Sequence, residues 1–196
     1  MSIADILAGG AGTDTLNIVI SGAQDAAVTV PVASTSSVET VNIRNTVAQE
    51  ATYAATNGLT TAASDRSAGA VVFSGLADGA VGSVIGDGVV TNGASTFGYG
   101  ATVSSGTVNF SGGTLGTPVV TTSGTLLATQ TVNSTGAANV TGALTMGAAV
   151  TTLNVNATTA LTTGAVTNTG ATVLTTINVT GAGAVTLGGT QGATVA

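Results

Sequence analysis

Thr107-Val108-Asn109-Phe110, Thr131-Val132-Asn133-Ser134, Thr152-Leu153-Asn154-Val155 and Thr176-Ile177-Asn178-Val179 are four renderings of one tetrapeptide. Their asparagines recur at intervals of 24, 21 and 24 along the chain. Thr15-Leu16-Asn17-Ile18 and Thr40-Val41-Asn42-Ile43 carry the same form at an interval of 25. Asn17 and Asn178 are separated by seven intervals averaging 23, although the middle of the chain lacks the tetrapeptide at the expected places and its register stays open.

Between these segments lie short runs such as Gly164-Ala165-Val166-Thr167 and Gly183-Ala184-Val185-Thr186-Leu187, each bounded by Gly, Asn or Ser. That is the pattern of short strands joined by tight turns. A loose repeat of roughly 20–25 residues with no amphipathic helix inside it predicts an all-β chain. Each repeat reads as one coil of a parallel β-solenoid, β-helix-like or β-roll-like, needing neighbours above and below to bury its inward face. Alternation sends Ile177 and Val179 inward and Thr176 and Asn178 outward. Stacking then sets Thr and Asn in rows about 4.8 Å apart. Like charges in such rows would repel, whereas hydroxyls and amides hydrogen-bond along them. A twisted β-sandwich of many short strands gives similar local signals, but has no reason to repeat one tetrapeptide at near-constant spacing. Gln49 to Thr56 reads as a helix or as a loop on one coil, since Thr46-Val47-Ala48-Gln49 has the form of a capping box and Asn57-Gly58 would end it.

The composition agrees. No Asp, Glu, Lys, Arg or His occurs from Gly88 to Ala196, and charged residues are 5% of the chain against about a quarter in an ordinary domain. Hydrophobic residues make up 43%, with only three Phe and two Tyr, so the core is built from Val, Ala, Leu and Ile. A net charge of -6 excludes nucleic-acid binding through a basic patch. Without Cys or His there is no disulfide, zinc site, cysteine nucleophile or histidine base. Both cations are arginines, which removes Schiff-base chemistry. Met1-Ser2-Ile3-Ala4-Asp5 lacks the basic and apolar regions of a secretory signal peptide. No window reads as a membrane helix, and five aromatic residues cannot supply the girdles of an outer-membrane barrel. The chain is thus expected not to span a membrane.

Residues 1–196 read as a single solenoid domain in three zones: a glycine-rich opening turn with the first coils over 1–45, irregular coils with loop insertions over 46–106, and regular charge-free coils over 107–196. Within the first zone, Gly9-Gly10-Ala11-Gly12-Thr13-Asp14-Thr15-Leu16-Asn17 matches the nonapeptide G-G-x-G-x-D-x-U-x at every fixed position. Glycines let the backbone fold tightly and aim carbonyl oxygens at one point, Asp14 adds a carboxylate, and Ca²⁺ takes six to eight oxygens. Gly10, Gly12 and Asp14 are the candidate metal ligands, and Ca²⁺ the candidate ion. Asp5 lies nine residues earlier, where a preceding repeat would place its Asp, but without glycines around it. In such rolls successive coils share each ion, and Val32 occupies the position one 18-residue coil after Asp14.

The run Ala4 to Asn17, followed by Val38-Glu39-Thr40-Val41-Asn42-Ile43, resembles the start of a repeat region in RTX-type bacterial surface-layer (S-layer) proteins. The motif resemblance covers roughly Ala4 to Ile43, and composition alone carries it further. It implies type I secretion, calcium-dependent folding or assembly, and a two-dimensional lattice on the bacterial cell surface. This chain departs from the family in having one clear nonapeptide instead of many. The same repeat style occurs in large secreted adhesins and filaments.

The remaining charges are Asp5, Asp14, Asp25, Glu39, Glu50, Asp65, Asp78, Asp87, Arg44 and Arg66. A carbohydrate-active β-helix enzyme would need facing carboxylates or a calcium-and-base cluster. Asp65, Asp78 and Asp87, in the irregular middle, are where one would form. Solvated loop carboxylates that keep the solenoid soluble are the plainer reading, and the chain is expected not to be an enzyme. Thr13-Asp14-Thr15, Thr129-Gln130-Thr131 and Thr167-Asn168-Thr169 have the Thr-x-Thr form of flat ice-binding rows, but do not recur once per coil in the sequence. The repeat runs on to Thr194-Val195-Ala196 without a polar or helical cap, which points to a fragment or subunit of a larger assembly. The expected partners are copies of itself, in a lattice or filament, and bacterial cell-surface polysaccharide. The expected function is structural: a secreted, self-assembling, calcium-binding surface protein, with an adhesin spacer or a carbohydrate-active enzyme as alternatives.

Overall fold

The computed structural model describes residues 7–30, 35–116, 119–170, 174–190 and 194–195. Asp5, Val32 and Ala196 lie outside them. The chain is a parallel β-solenoid whose coils each contribute one strand to a front sheet and one to a back sheet. The front sheet stacks Thr15–Ile20, Thr40–Asn45, Thr61–Asp65, Val81–Ile85, Ser105–Ser111, Thr129–Thr135, Thr152–Ala157, Thr176–Thr180 and Thr194–Val195 in chain order. The back sheet stacks Val28–Thr29, Ala51–Ala54, Val71–Leu76, Ser95–Tyr99, Val120–Ser123, Leu144–Met146, Leu161–Asn168 and Val185–Thr190, and Asn139–Val140 pairs with the start of the Leu161–Asn168 strand. A further short pair joins Leu7–Ala8 to Thr35–Ser36. Every pairing among the described strands is parallel and joins residues one coil apart, which a Greek-key sandwich does not do.

The register measures the repeat. Thr15 lies on Thr40, Thr40 on Thr61, Thr61 on Val81, Val81 on Thr107 and Thr107 on Thr131, so successive coils advance the numbering by 25, 21, 20, 26 and 24. Thr129 on Thr152 and Thr152 on Thr176 give 23 and 24. The asparagines do not form the single row that their spacing suggests. One column runs Asn17, Asn42, Ala63, Ser83, Asn109, Asn133, Asn156, Thr180. Asn154 stands two residues out of phase with it, opposite Thr131, and pairs onward with Asn178. A slip of two residues preserves the face, so both columns point outward. In the middle coils the outward column carries Ala63 and Ser83, which is why the tetrapeptide vanishes there.

Those middle coils have a different core. Tyr53, Phe73 and Phe97 occupy one inward column of the back sheet. Phe73 and Phe97 stack with ring centroids 5.8 Å apart and planes 3° from parallel, and Tyr53 meets Phe73 edge-on at 6.0 Å. The facing strands give way: Ala62 and Gly82 point inward there, and a Cβ at Gly82 would strike the Phe97 ring. Elsewhere the core is layered aliphatic, with Val108, Val132 and Val155 in successive coils, each essentially buried.

Gln49 to Thr56 is neither helix nor loop. Its centre, Ala51–Ala54, is a strand registered on Val71–Ser74, and no helix occurs among the described residues. Tyr53 accounts for this, because only an extended backbone delivers its ring to the aromatic column. Thr46 caps nothing: its hydroxyl donates to the Ile20 carbonyl at 2.9 Å, one coil away. A local capping signal has lost to tertiary packing.

The two corners of the coil are closed differently. At the return to the front sheet a four-residue turn recurs, with the N–H of Leu59, Ala80, Val103, Leu127 and Val150 donating to the carbonyl three residues back. Each donor residue is apolar and buried. At the opposite corner, buried asparagines bind the backbone. Asn45 donates to the carbonyls of Gln49 and Ala70 at 2.7 and 2.9 Å. Asn92 donates to Ile85 O and accepts from Leu115 N–H, both at 3.1 Å. Asn139 accepts from the N–H groups of Gly113 and Thr114 and donates to Ser134 Oγ and Ala137 O.

Candidate functional site

The glycine-rich turn leads into the first front strand. Gly10 and Gly12 have φ of 89° and 126°, values that side-chain-bearing residues rarely adopt. Gly9 is required for another reason: a Cβ there would lie 1.8 Å from the Ser37 carbonyl oxygen and 2.7 Å from Asp14 Oδ2. The turn is therefore clamped between its own aspartate and the backbone of the following coil. Asp14 Oδ2 is buried without a hydrogen-bond partner, beside a small cavity lined by Ala8, Gly9, Asp14, Thr15, Leu16 and Val38. A desolvated carboxylate oxygen with no donor is costly, and a cation is one way to satisfy it.

The coil length changes which residue stacks on Asp14. An 18-residue coil points to Val32; the actual 25-residue coil places Glu39 on that rung, since Thr15 registers on Thr40. Glu39 Oε2 accepts the Asp14 N–H at 2.8 Å, and Thr40 N–H donates to Asp14 O at 3.0 Å. Sequence reading misses Glu39 when the repeat distance is taken from the nonapeptide; the Asn segments, spaced by 25, lead straight to it. The donors present, two carboxylates and the carbonyls of a glycine turn, are the hard oxygens that Ca²⁺ prefers. Asp14, Glu39 and the Gly10–Gly12 backbone would hold such an ion, which would supply charge neutralisation and a tie between the first two coils. No group of three or more acidic, His or Cys side chains suited to a metal occurs among the described residues.

Of the three middle carboxylates, Asp65 and Asp87 share a corner and both act on Arg66, while Asp78 lies apart. Asp65 ends a front strand, and Asp87 follows the next one at the same corner. Asp78 sits on the turn at the other corner, between Leu76 and Val81. Asp65 is engaged by Arg66 in a two-pronged ion pair, both contacts at 2.8 Å, and this pair raises the Arg66 guanidinium above its ordinary range. Asp87 Oδ1 accepts the Val90 and Val89 N–H groups at 2.8 and 2.9 Å, which hold its carboxyl below the usual range. Each of these two carboxylates already has a structural partner.

The outer faces carry the most regular chemistry. On the front sheet Asn42 Nδ2 donates to Asn17 Oδ1 at 2.8 Å, Asn133 to Asn109 at 2.7 Å and Asn156 to Asn133 at 3.0 Å, while Asn178 donates to Asn154 at 2.8 Å in the neighbouring column. Thr180 Oγ1 donates to Asn156 Oδ1, which extends the chain to four side chains. On the back sheet Thr29, Thr52, Val72, Thr96, Thr121, Thr145 and Thr167 form one column. Threonine thus recurs almost once per coil there, a row invisible in the sequence because the coils differ in length. The column beside it holds Ala54 and Ser74, then Gly98 and Ser123, so across these coils the row is single and makes no Thr-x-Thr pairs.

Comparison with protein-family models, with curated proteins and with solved structures finds no match to this chain. No helix among the described residues is long and apolar enough to cross a membrane.

Proposed function

We propose that this chain is a non-catalytic structural module of an extracellular bacterial surface assembly, an S-layer lattice or filament built on RTX-type, calcium-assisted coils. The observation that carries the reading is the axial ladder Asn109–Asn133–Asn156–Thr180. Side chains that an enzyme or a receptor would turn toward a ligand are here spent on one another along the rod axis. Neutral amides can repeat at the strand spacing without the repulsion that charges would bring, so the pattern favours axial cohesion over chemistry. Asp14 with its unpaired buried oxygen supports the calcium part, and type I secretion follows from the same resemblance. Copies of the chain and surface polysaccharide are the partners this reading implies.

Electron microscopy of the purified chain with Ca²⁺ and with a chelator tests it. Fibres or sheets that require, or are promoted by, Ca²⁺ are expected. Monomeric particles in both conditions would sink self-assembly and leave a rigid spacer, as in a secreted adhesin.

A further inference from the structure

The two arginines of the chain have unlike surroundings. Arg66 is held by Asp65 on both prongs. Arg44 makes no ion pair among the described residues, and its Nε is buried without a hydrogen-bond partner. Arg44 projects from the outer face of the front sheet, two residues along its strand from Asn42. It is one of the residues lining a cavity of about 180 Å³, with Asn17, Ile18, Val19, Asn42, Asp65 and Arg66. One wall is the amide ladder. Asn42 Nδ2 is used on Asn17 Oδ1, which leaves the Asn17 Nδ2 donor and the Asn42 Oδ1 acceptor unspent in that contact, and both residues line the cavity.

We propose that this cavity binds a carboxylate carried on a hydroxyl-bearing group, such as a sugar acid, with Arg44 taking the acid and the Asn17 and Asn42 amides taking neighbouring hydroxyls. A planar guanidinium matches a carboxylate with two parallel hydrogen bonds, and Arg44 has no ion pair among the described residues to compete with such a ligand. Asp65 on the wall disfavours a doubly charged anion, so a monoanion fits better than phosphate. The second donor-acceptor pair distinguishes a hydroxy acid from a bare carboxylate, which would leave the amides idle. That points to a uronate sugar over an acidic peptide, and the test separates the two. The inference stands on this cavity alone and does not depend on calcium or self-assembly.

The experiment is an NMR titration of the isotope-labelled chain, following the Arg44 Nε–H and the Asn17 and Asn42 side-chain amides. The probes are galacturonate, galactose, acetate and a short peptide rich in Asp. Galacturonate is expected to shift all three groups saturably at millimolar concentration, acetate only Arg44, and galactose none. Arg44→Gln is expected to weaken galacturonate about tenfold or more, and Arg44→Lys by less, since it keeps the charge and loses the fork. If the Asp-rich peptide binds at the same resonances and galacturonate does not, the hydroxy-acid proposal is overturned. The proposal is overturned if galactose shifts the same resonances as strongly. It is equally overturned if a folded Arg44→Gln variant binds unchanged, or if no carboxylate shifts Arg44 at tens of millimolar. Thermal unfolding of each variant establishes that it is folded, and Arg44→Lys serves if Arg44→Gln is not.

Discussion

Gly82 faces Phe97 across the core with no room for a side chain between them: a Cβ on Gly82 would stand 2.6 Å from Phe97 Cδ1 and Cγ. Phe97 cannot retreat, because Phe73 is stacked on its ring. Gly82→Ala should therefore destabilise the chain by about 1–3 kcal/mol through overpacking. Phe97→Leu alone should also destabilise, by cavity formation. The double variant should be more stable than the sum of the two losses implies, as measured by urea unfolding. Strict additivity would show that the two residues are not matched.

The amide ladder makes a charge-state prediction. In Asn133→Asp the side chain still accepts from Asn156 but has no donor for Asn109 Oδ1. At pH 7 the variant should be less stable by about 1 kcal/mol. A protonated carboxyl restores the donor, so its pKa in the folded chain should be raised. The missing stability is then regained below the ordinary carboxylate pKa, at about pH 4, and lost again as the pH rises. Melting curves of wild type and variant at the two pH values should converge at the lower one.

Asn139 should matter more than any outward asparagine. It is 1% exposed and its removal strips the acceptor from the N–H groups of Gly113 and Thr114. Asn139→Leu should cost about 1–3 kcal/mol for each buried group it leaves unpaired. Asn156→Ala, at an exposed site, should cost less than about 1 kcal/mol. Hydrogen exchange should speed up at Gly113 and Thr114 in the first variant and not in the second.

Tyr99 is a buried alkaline sensor. Its ring lies over Gly106, and its hydroxyl donates to Thr107 O at 2.7 Å and accepts Thr107 N–H at 3.0 Å. Burial pushes its pKa up to about 12 from the usual value of 10. The folded state thus keeps a proton that the unfolded chain gives up, and stability contributed below pH 10 is lost between about 10 and about 12. By pH 12 the loss reaches about 2 kcal/mol. Urea unfolding across this range should show the decline in wild type and a shallower one in Tyr99→Phe.

Calcium should raise the melting temperature if the first turn binds it, by linkage to the folded state. The rise should disappear in Asp14→Asn and shrink in Glu39→Gln, which keeps an oxygen that can still accept the Asp14 N–H. Magnesium, smaller and bound to rigid octahedra, should produce little. A full calcium response in Asp14→Asn would remove this turn as the site.

The repeat, the outward polarity and the glycine turn were all legible in the chain, because each depends on neighbours in sequence. Alternation of Thr-Val-Asn-Ile sets which side chains share a face whatever the fold around them, and a charge-free half says that those faces stack. The nonapeptide named Gly10, Gly12 and Asp14 because turn geometry is local. What stayed hidden depends on coil length. Glu39 beneath Asp14 is missed when the coil length is taken from the nonapeptide and found when it is taken from the Asn spacing, whereas the two-residue slip of Asn154 and the threonine column of the back sheet appear only when coils of unequal length are laid on one another. The helix-like segment at Gln49 became a strand because Tyr53 belongs to an aromatic column assembled from three coils. Outward asparagines and the buried corner asparagines Asn45, Asn92 and Asn139 look alike in sequence. Only the tertiary structure separates them, since burial decides whether an amide is decoration on a ladder or the sole partner of backbone groups that water cannot reach.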